Sequence, residues 1–278
     1  MMSAIIHAEL GKKSTYDAHY NPNRLVAIAR KEKRDEINID SNAPLPFYGY
    51  DEWNHYEVSW LDQKGKPLVA FARIIYPCHS PNIIESKSMK LYFNSLNNTK
   101  FVDAQMVQYV LEKDLSQSVG SKVTVAITPL NNIKKEIIPS NFSGKCIDEL
   151  DIECSVYTVT PAFLKTETIL VEAEVLYSDL FKSNCLVTNQ PDWASIQIKY
   201  SGTKINEESL LKYLISYRNH NEFHEQCVER IFMHLMHYCQ PTKLTVSARF
   251  TRRGGIDINP IRSTDEIMQQ ESLRLYRQ

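Results

Sequence analysis

One cysteine, Cys185, lies in a polar run of the sequence, and an aspartate, Asp192, follows it seven residues later. The run 183–193 is rich in Asn, Thr, Gln and Pro, which favour turns, so it is predicted to be a loop between two strands. A thiol beside a carboxylic acid is suited to covalent catalysis, in which the thiolate attacks carbon and the acid donates a proton. Seven extended residues span roughly 23 Å, so the two groups can share a site only if the loop folds back.

Simpler interpretations of these residues stay open. Most free cysteines are small buried hydrophobes, and an aspartate after proline is often a turn or N-cap residue. Cys78, also in a predicted loop, is a weaker rival nucleophile. Cys227 and Cys239 fall in or beside a predicted helix and are interpreted as structural.

Two further groups of residues suggest ligand binding. Glu225, beside His224, could accept two N–H bonds from an amidine-like base edge; alternatively, both residues are solvated in the first turn of a helix. The second group is a possible phosphate clamp, since arginine binds phosphate bidentately and glycine lets backbone approach a ligand. Its alternative is a solvated helix face and a hairpin turn, and its members are Lys87, Lys90, Arg252, Arg253, Gly254 and Gly255.

Other sites are less well supported. His234, His237 and Cys239 are possible metal ligands by type, but no third and fourth ligands accompany the two histidines, and no metal is predicted. No G-x-G-x-x-G sequence is present, so a dinucleotide would not be held by a Rossmann fold.

Composition excludes several classes of protein. The chain has 278 residues, 43% hydrophobic residues and a formal net charge of −1, which fits an ordinary soluble globular protein better than one with a broad nucleic-acid or membrane surface. No apolar run approaches the roughly 18 residues of a membrane span, and the first residues lack a signal-peptide core. The six cysteines are therefore expected to be reduced thiols in the cytoplasm.

The same order of elements is predicted twice: strand, strand, helix, helix, strand. The first set covers 56–61, 68–76, a helix from Glu85, a helix around 106–115, and 122–128; the second covers 168–177, 193–200, 210–215, 227–236 and 243–249. Local matches occur at offsets of 121 (122–126 with 243–247), 122 (101–103 with 223–225) and 123 (85–86 with 208–209). These favour duplication over a chance likeness of amphipathic elements.

The predicted organisation follows from this repeat. It consists of an irregular N-terminal extension (1–54), a first module (55–130), a connector (131–166) and a second module (167–278). Because the lysine-bearing helix lies in one module and the cysteine loop in the other, a composite site is expected.

Taken together, four motifs resemble those of the NADPH-dependent nitrile reductases of the queuosine pathway, the 7-cyano-7-deazaguanine reductases. The motifs are 85–92 (ESKSMKLY), Cys185 through Asp192, 223–225 (FHE) and 252–257 (RRGGID). The likeness extends to 10–12 and to 146–151 in the connector, and it suits the two-module branch of that family.

This resemblance implies an α+β fold of tandem tunnelling-fold (T-fold) modules, each an antiparallel sheet with two helices on one face, in a cytoplasmic homodimer. It implies reduction of 7-cyano-7-deazaguanine to 7-aminomethyl-7-deazaguanine with two NADPH, through a Cys185 thioimide that Asp192 protonates. A hemithioaminal and an imine would follow the first hydride. No direct binding of nucleic acid or membrane is implied. The implied substrate residues are Ile84, Glu85, Ser86, His224 and Glu225, and the implied cofactor residues are Ser86, Lys87, Arg253 and Gly254.

Overall fold

The computed structural model describes residues 16–40, 42–130, 141–267 and 274–278. These residues form two compact units. Unit 1 takes its described residues from 16–36, 50–130 and 252–257, and unit 2 from 37–49, 141–251 and 258–278. The resemblance at 10–12, and the connector residues 131–140, lie outside the described part of the chain.

Unit 1 is built on three antiparallel strands in the order β5-β3-β2, and its two longer helices lie between β3 and β5 along the chain. Its elements are β1 (Ala27–Ala29), α1 (Lys31–Asp35), β2 (Tyr48–Leu61), β3 (Pro67–Pro77), β4 (Asn82–Ile84), α2 (Ser86–Leu96), α3 (Ala104–Val119) and β5 (Thr124–Pro129). Strands β1 and β4 form a separate antiparallel pair. The predicted irregular segment 1–54 is therefore wrong at β1, at α1 and at the beginning of β2.

Unit 2 contains a five-stranded sheet in the order β10-β9-β8-β7-β6. Its elements are β6 (Lys145–Cys146), β7 (Thr166–Asn184), β8 (Pro191–Ile205), α4 (Glu207–Ile215), α5 (His224–Cys239), β9 (Lys243–Phe250) and most of β10 (Ile256–Ser263). Pairing is antiparallel from β7 to β10, and only the short β6 runs parallel to β7. The predicted α+β class is confirmed.

The helices pack through faces that the sequence pattern predicts. In α5 the residues Cys227, Ile231 and Leu235 recur at helical spacing and are fully buried. In β9 the side chains alternate between buried and half-exposed, as expected for a strand with one face against the core. No helix among the described residues is long and apolar enough to cross a bilayer.

The two units share the same hydrogen bonds at the beginning of their first long helices. Ser88 Oγ donates to Glu85 O at 2.7 Å and accepts from Val26 N at 3.0 Å. Ser209 Oγ likewise donates to Asn206 O at 2.8 Å and accepts from Lys165 N at 3.1 Å. Glu85 and Asn206 are both N-caps, and they are 121 residues apart.

These caps correct the predicted alignment of the two halves. Glu85 corresponds to Asn206 and not to Glu208, because the cap position fixes the helix register. The second helices begin after Asp103 and Phe223, which are therefore the corresponding N-caps. Phe101, predicted to match Phe223, lies two residues earlier. Both second helices end at a left-handed residue, Gly120 or Gln240.

Candidate active site

Cys185 lies at the first position of a six-residue connection between β7 and β8. Cys185 N donates to Gln190 O at 2.8 Å, and Asn189 N donates to Cys185 O at 3.0 Å. Asn189 has a positive φ of 57°, which asparagine tolerates better than most residues. The predicted loop is confirmed for 185–190, which folds back as a hairpin. Its predicted ends, 183–184 and 191–193, belong instead to β7 and β8. The thiol-bearing residue is 5% exposed.

Asp192 lies on β8 directly opposite Ser183 of β7. Cross-strand partners point to the same face of the sheet. Because Cys185 follows Ser183 by only two residues, Asp192 lies near the end of the hairpin that carries the cysteine. Asp192 is 7% exposed, and its Oδ2 lies 3.4 Å from His224 Nε2. It is thus a buried strand residue, and the alternative of a turn or N-cap aspartate is wrong.

His224 and Glu225 begin helix α5, after the N-cap Phe223. The His224 ring lies 4.0 Å from the Phe250 ring, centroid to centroid, and Glu225 is 2% exposed. The alternative of two solvated first-turn residues is therefore wrong. A carboxyl group in the first turn of a helix faces the positive end of the helix dipole, a position that suits Glu225 to accept N–H bonds from a ligand.

A buried ion pair that the sequence did not point to anchors the segment before α5. Both Glu222 oxygens accept from Arg230, with Arg230 Nη2 2.6 Å from Oε1, and His220 Nε2 lies 3.1 Å from Oε2. Burial would raise the pKa of Glu222, but the hydrogen bonds from His220 and Arg230 outweigh it and lower that pKa. A Glu and an Arg eight residues apart, on either side of a helix start, form no recognisable sequence motif.

In unit 1, Glu85 is the N-cap of α2, and its carboxylate accepts from Lys87 N at 2.8 Å and from Ser88 N at 2.7 Å. Burial raises the pKa of Glu85, although these two bonds and the nearby lysines oppose the shift. Ile84 is buried and pairs with Ala27 of β1. Because both carboxylate oxygens of Glu85 already accept these backbone bonds, a ligand at the start of this helix could bind only to their remaining lone pairs or to nearby backbone groups.

The Arg-Arg-Gly-Gly stretch is a tight reverse turn that belongs to unit 1. Arg253 N donates to Ile256 O at 2.9 Å, and Gly254 and Gly255 have φ of 58° and 77°. Two central residues with positive φ define the turn type that requires glycine or asparagine. The hairpin turn of the alternative interpretation is therefore present, and the phosphate clamp stays a prediction.

Contacts with β2 hold this turn in place. Tyr56 N donates to Gly255 O at 2.9 Å, and the Arg252 guanidinium lies 4.2 Å from the centre of the Tyr56 ring. Tyr56 OH in turn donates to Asp257 Oδ2 at 2.6 Å.

Lys90 of α2 lies against the turn. A Cβ placed on Gly254 would be 3.0 Å from Lys90 Nζ, so the space beside this backbone is available only because residue 254 is glycine. The contact brings the lysine helix and the arginine turn together within unit 1. Cationic side chains beside a glycine turn are suited to bind phosphate, although the carboxyl group of Glu57 lies against Gly255.

The predicted site residues thus fall into two groups. Unit 2 brings together Asp192, His224 and Glu225 at the Cys185 hairpin, and unit 1 holds the remaining predicted residues: Ile84, Glu85, Ser86, Lys87, Lys90, Arg252, Arg253 and Gly254. The composite site built from both groups stays a prediction.

The candidate metal ligands have other partners. His234 Nδ1 lies 2.8 Å from Tyr213 OH, and burial, together with the charge of Arg230, lowers the pKa of His234 to about 4. Within the described residues no cluster of three or more His, Cys, Asp or Glu side chains is placed to hold a metal. Burial also raises the pKa of the Cys227 and Cys239 thiols, to about 11 for Cys239, as suits structural cysteines.

His234→Gln is expected to reduce the acid sensitivity of folding. The folded-state pKa of about 4 lies below the unfolded value of about 6.5. Between these two pH values His234 is protonated in the unfolded chain but neutral in the folded protein. Stability that is present above pH 6.5 is therefore lost on acidification. Allowing for partial exposure, His234→Gln should recover about 1 kcal/mol of that loss near pH 5, measured by urea unfolding.

The matched control for this substitution is His237→Gln, because His237 lies on the same helix and is exposed to solvent. It should change the acid loss of the wild type much less than His234→Gln does, because the charge of His237 is only a minor cause of the lowered pKa of His234. An equal acid loss in the wild type and in His234→Gln would contradict the assignment.

Comparison with known proteins places these motifs in one family. A model of the family described as "Nitrile reductase, 7-cyano-7-deazaguanine-reductase N-term" matches residues 16–127, and one described as "QueF-like protein" matches 191–269. The archaeosine synthase QueF-Like, solved in the apo form, matches 37% of this chain and all of its own at 18% identity and a TM-score of 0.32.

Full-length relatives carry one name, NADPH-dependent 7-cyano-7-deazaguanine reductase. The protein of Legionella pneumophila (strain Lens) is 63% identical over 272 residues, or 98% of this chain and 95% of its own length. The Ralstonia nicotianae protein is 50% identical over 278 residues, the whole of both chains. With such identity along nearly the entire sequence, the chain belongs to the family of NADPH-dependent 7-cyano-7-deazaguanine reductases.

Proposed function

We propose that this protein is an oxidoreductase that reduces the nitrile of 7-cyano-7-deazaguanine to an aminomethyl group with NADPH, within queuosine biosynthesis. Its relatives, up to 63% identical among those compared, bear the name of that activity. The observation that carries the proposal is the contact of buried Asp192 with His224 beside the Cys185 hairpin. That arrangement supplies a nucleophile, an acid and a base-binding residue from one unit.

Cys185 is proposed as the nucleophile. Its thiolate adds to the nitrile carbon while the nitrile nitrogen takes up a proton, which gives a covalent thioimide. A thioimide carbon accepts hydride more readily than a nitrile carbon does. The nearly complete burial of Cys185 favours this chemistry, because water that would hydrolyse the thioimide or a later imine is excluded.

Asp192 is proposed as the proton donor to the nitrile nitrogen, and His224 as its partner. The 3.4 Å contact lets the imidazole hold the carboxyl group in position and return a proton to it after transfer. Glu225 is proposed to accept N–H bonds from the deazaguanine, with His224 alongside. Ile84, Glu85 and Ser86 are proposed as further contacts to the base.

NADPH binding is assigned to Ser86, Lys87, Arg253 and Gly254, with Lys90 and Arg252 as added phosphate contacts. The close approach of Lys90 to Gly254 supports this assignment, since it places a further cationic side chain beside the arginine turn. NADPH supplies hydride, and two equivalents balance the four-electron reduction of a nitrile to an amine. Cys185 enters and leaves as a thiolate, so the enzyme is unchanged after a turnover.

The finer structural expectations form part of the same proposal. We assign the chain to the tandem T-fold class, with the module boundaries 55–130 and 167–278, and expect a homodimer that does not bind nucleic acid directly. The repeated helix caps support the tandem arrangement. The six cysteines form no disulfide in the described part of the chain, which is in keeping with a cytoplasmic location.

Gly254→Ala is expected to raise the KM for NADPH about tenfold while kcat changes little. The new methyl group would crowd Lys90 and strain a residue with a φ of 58°, at a cost of about 1 kcal/mol for the backbone alone. Steady-state kinetics with varied NADPH measure the effect.

Gly65→Ala is the control for Gly254→Ala. It introduces the same kind of strain at a φ of 85°, but nothing lies within 4 Å of its new methyl group. It should leave the KM for NADPH unchanged. An unchanged KM in Gly254→Ala would remove this turn from the cofactor site.

The activity is tested by following NADPH absorbance after the nitrile is added to the purified protein. The expected result is two NADPH consumed per nitrile and a product with the mass of the primary amine. A product with the mass of an amide or acid, formed without NADPH, would instead indicate a thiol hydrolase and overturn the proposal.

A further inference from the structure

The connection that carries Cys185 is held by side-chain amides as well as by its own backbone. Asn221 Nδ2 donates to Asn189 Oδ1, close to the end of the connection, and Asn184 Nδ2 donates to Asn221 Oδ1 at 3.3 Å, immediately before Cys185. The single amide of Asn221 therefore links both ends of the loop. Asn184 Oδ1 also accepts from Lys182 Nζ at 2.7 Å.

The backbone around Asn221 reinforces this link. Asn184 N donates to His220 O at 2.8 Å, and Glu222 N donates to Asn184 O at 3.1 Å. The segment His220–Glu222 thus lies against Asn184 like a short additional strand, as a parallel bridge between Asn184 and Asn221.

The same segment is fixed at its other side to helix α5. Glu222 is 2% exposed and is held by Arg230, which lies on that helix. Asn221 precedes His224, the first residue of α5, by three positions. One short segment therefore sets both the position of the thiol-bearing loop and the beginning of the helix that carries His224 and Glu225.

We propose that Asn221 is a positioning residue that holds the Cys185 loop at a fixed distance from the base-binding end of α5. The inference rests on the proposed function, in which the base is held by His224 and Glu225 while Cys185 attacks its nitrile. Attack requires the two reacting atoms to be roughly 3–3.5 Å apart, and a displacement of about 1 Å can cost on the order of 100-fold in rate. Asn221 touches neither reacting atom and acts through the loop.

The test is the rate of covalent adduct formation between the protein and the nitrile without NADPH, followed by quenching and intact-protein mass spectrometry. Asn221→Ala is expected to slow this rate about 10- to 100-fold. The dissociation constant of the nitrile, measured in the Cys185→Ala background, should change less than about twofold. Alkylation of Cys185 by iodoacetamide, which needs no bound base, should keep its wild-type rate.

A second variant guards against misfolding of the first. Asn189→Gly removes only the acceptor amide from an exposed residue, and glycine keeps the φ of 57° without strain. It should slow adduct formation in the same direction. Adding Asn189→Gly to Asn221→Ala should slow it no further, because both act through one hydrogen bond.

Gln197→Ala is the control, since Gln197 also donates an exposed amide hydrogen bond in unit 2, to Ser143 O at 2.8 Å. It should react at the wild-type rate. Wild-type rates in Asn221→Ala and Asn189→Gly, or a matching loss in nitrile affinity or in alkylation, would overturn the inference. A wild-type protein that forms no adduct would instead overturn the proposed function itself.

Discussion

Cys185→Ala is expected to lower kcat by roughly four orders of magnitude or more, because no other group in the site can form the thioimide. Binding of the nitrile should survive, since Asp192, His224 and Glu225 remain in place. Steady-state NADPH oxidation measures the first effect, and isothermal titration of the nitrile measures the second.

Cys239→Ala is the matched control. Cys239 is also buried, at the end of α5, and its raised pKa keeps it a neutral thiol. Turnover should stay within about twofold of the wild type. A Cys185→Ala protein that retains turnover would show that the hairpin cysteine is not the nucleophile, and Cys78 would be the next candidate to examine.

Asp192→Asn is expected to lower kcat by about 100- to 1,000-fold, the usual range for loss of a general acid. The amide keeps the shape of the carboxyl group and can still contact His224, so folding and nitrile binding should be preserved. The rate of adduct formation should fall with kcat, because protonation of nitrogen accompanies attack by the thiolate. Rapid-quench mass spectrometry and steady-state kinetics provide the two rates.

The control for this substitution is Asp179→Asn. Asp179 lies on β7 of the same sheet and accepts from the Ser195 hydroxyl group, and asparagine can accept the same bond. It makes the same carboxyl-to-amide change without touching the His224 contact and should leave kcat unchanged. Equal losses in the two variants would assign the effect to sheet electrostatics and not to proton donation.

The Cys185 hairpin could be predicted because its turn-forming residues are local and lie between two alternating strands. The contact of Asp192 with His224 could not, since it depends on how α5 packs on the sheet 32 residues later in the chain. The contacts of Asn221 and Glu222 could not be predicted for a similar reason. Their partners lie on a different element in each case, and no sequence period connects them.

The beginning of β2 shows where a pattern misleads. Residues Tyr50–His55 are buried on both faces, so no alternation of polar and apolar residues marks the strand. The polar members carry buried partners within unit 1: Asp51 pairs with Arg30, Glu52 with Arg73 and Asn54 with Asp257. In the sequence, such charged residues indicate an irregular segment exposed to solvent, because their buried partners cannot be recognised there.

Matching identical residues aligns the two halves two residues out of register at their helices. Glu85 and Asn206 differ in type yet perform the same capping function. The difference also distinguishes the two units chemically, since Glu85 is a carboxylic acid and Asn206 is a neutral amide. A carboxylate N-cap beside Lys87 and Lys90 belongs to the unit assigned to the cofactor, and a neutral cap belongs to the unit that holds Cys185.

The most direct test of the thioimide is the intact mass of the wild-type protein mixed with 7-cyano-7-deazaguanine, first without NADPH and then with it. The expected result is an increase equal to the mass of one nitrile per chain, located on Cys185 by peptide mapping. NADPH should return the protein to its original mass and release the amine. A protein that reduces the nitrile but never gains this mass, even under rapid quenching, would contradict covalent catalysis by Cys185.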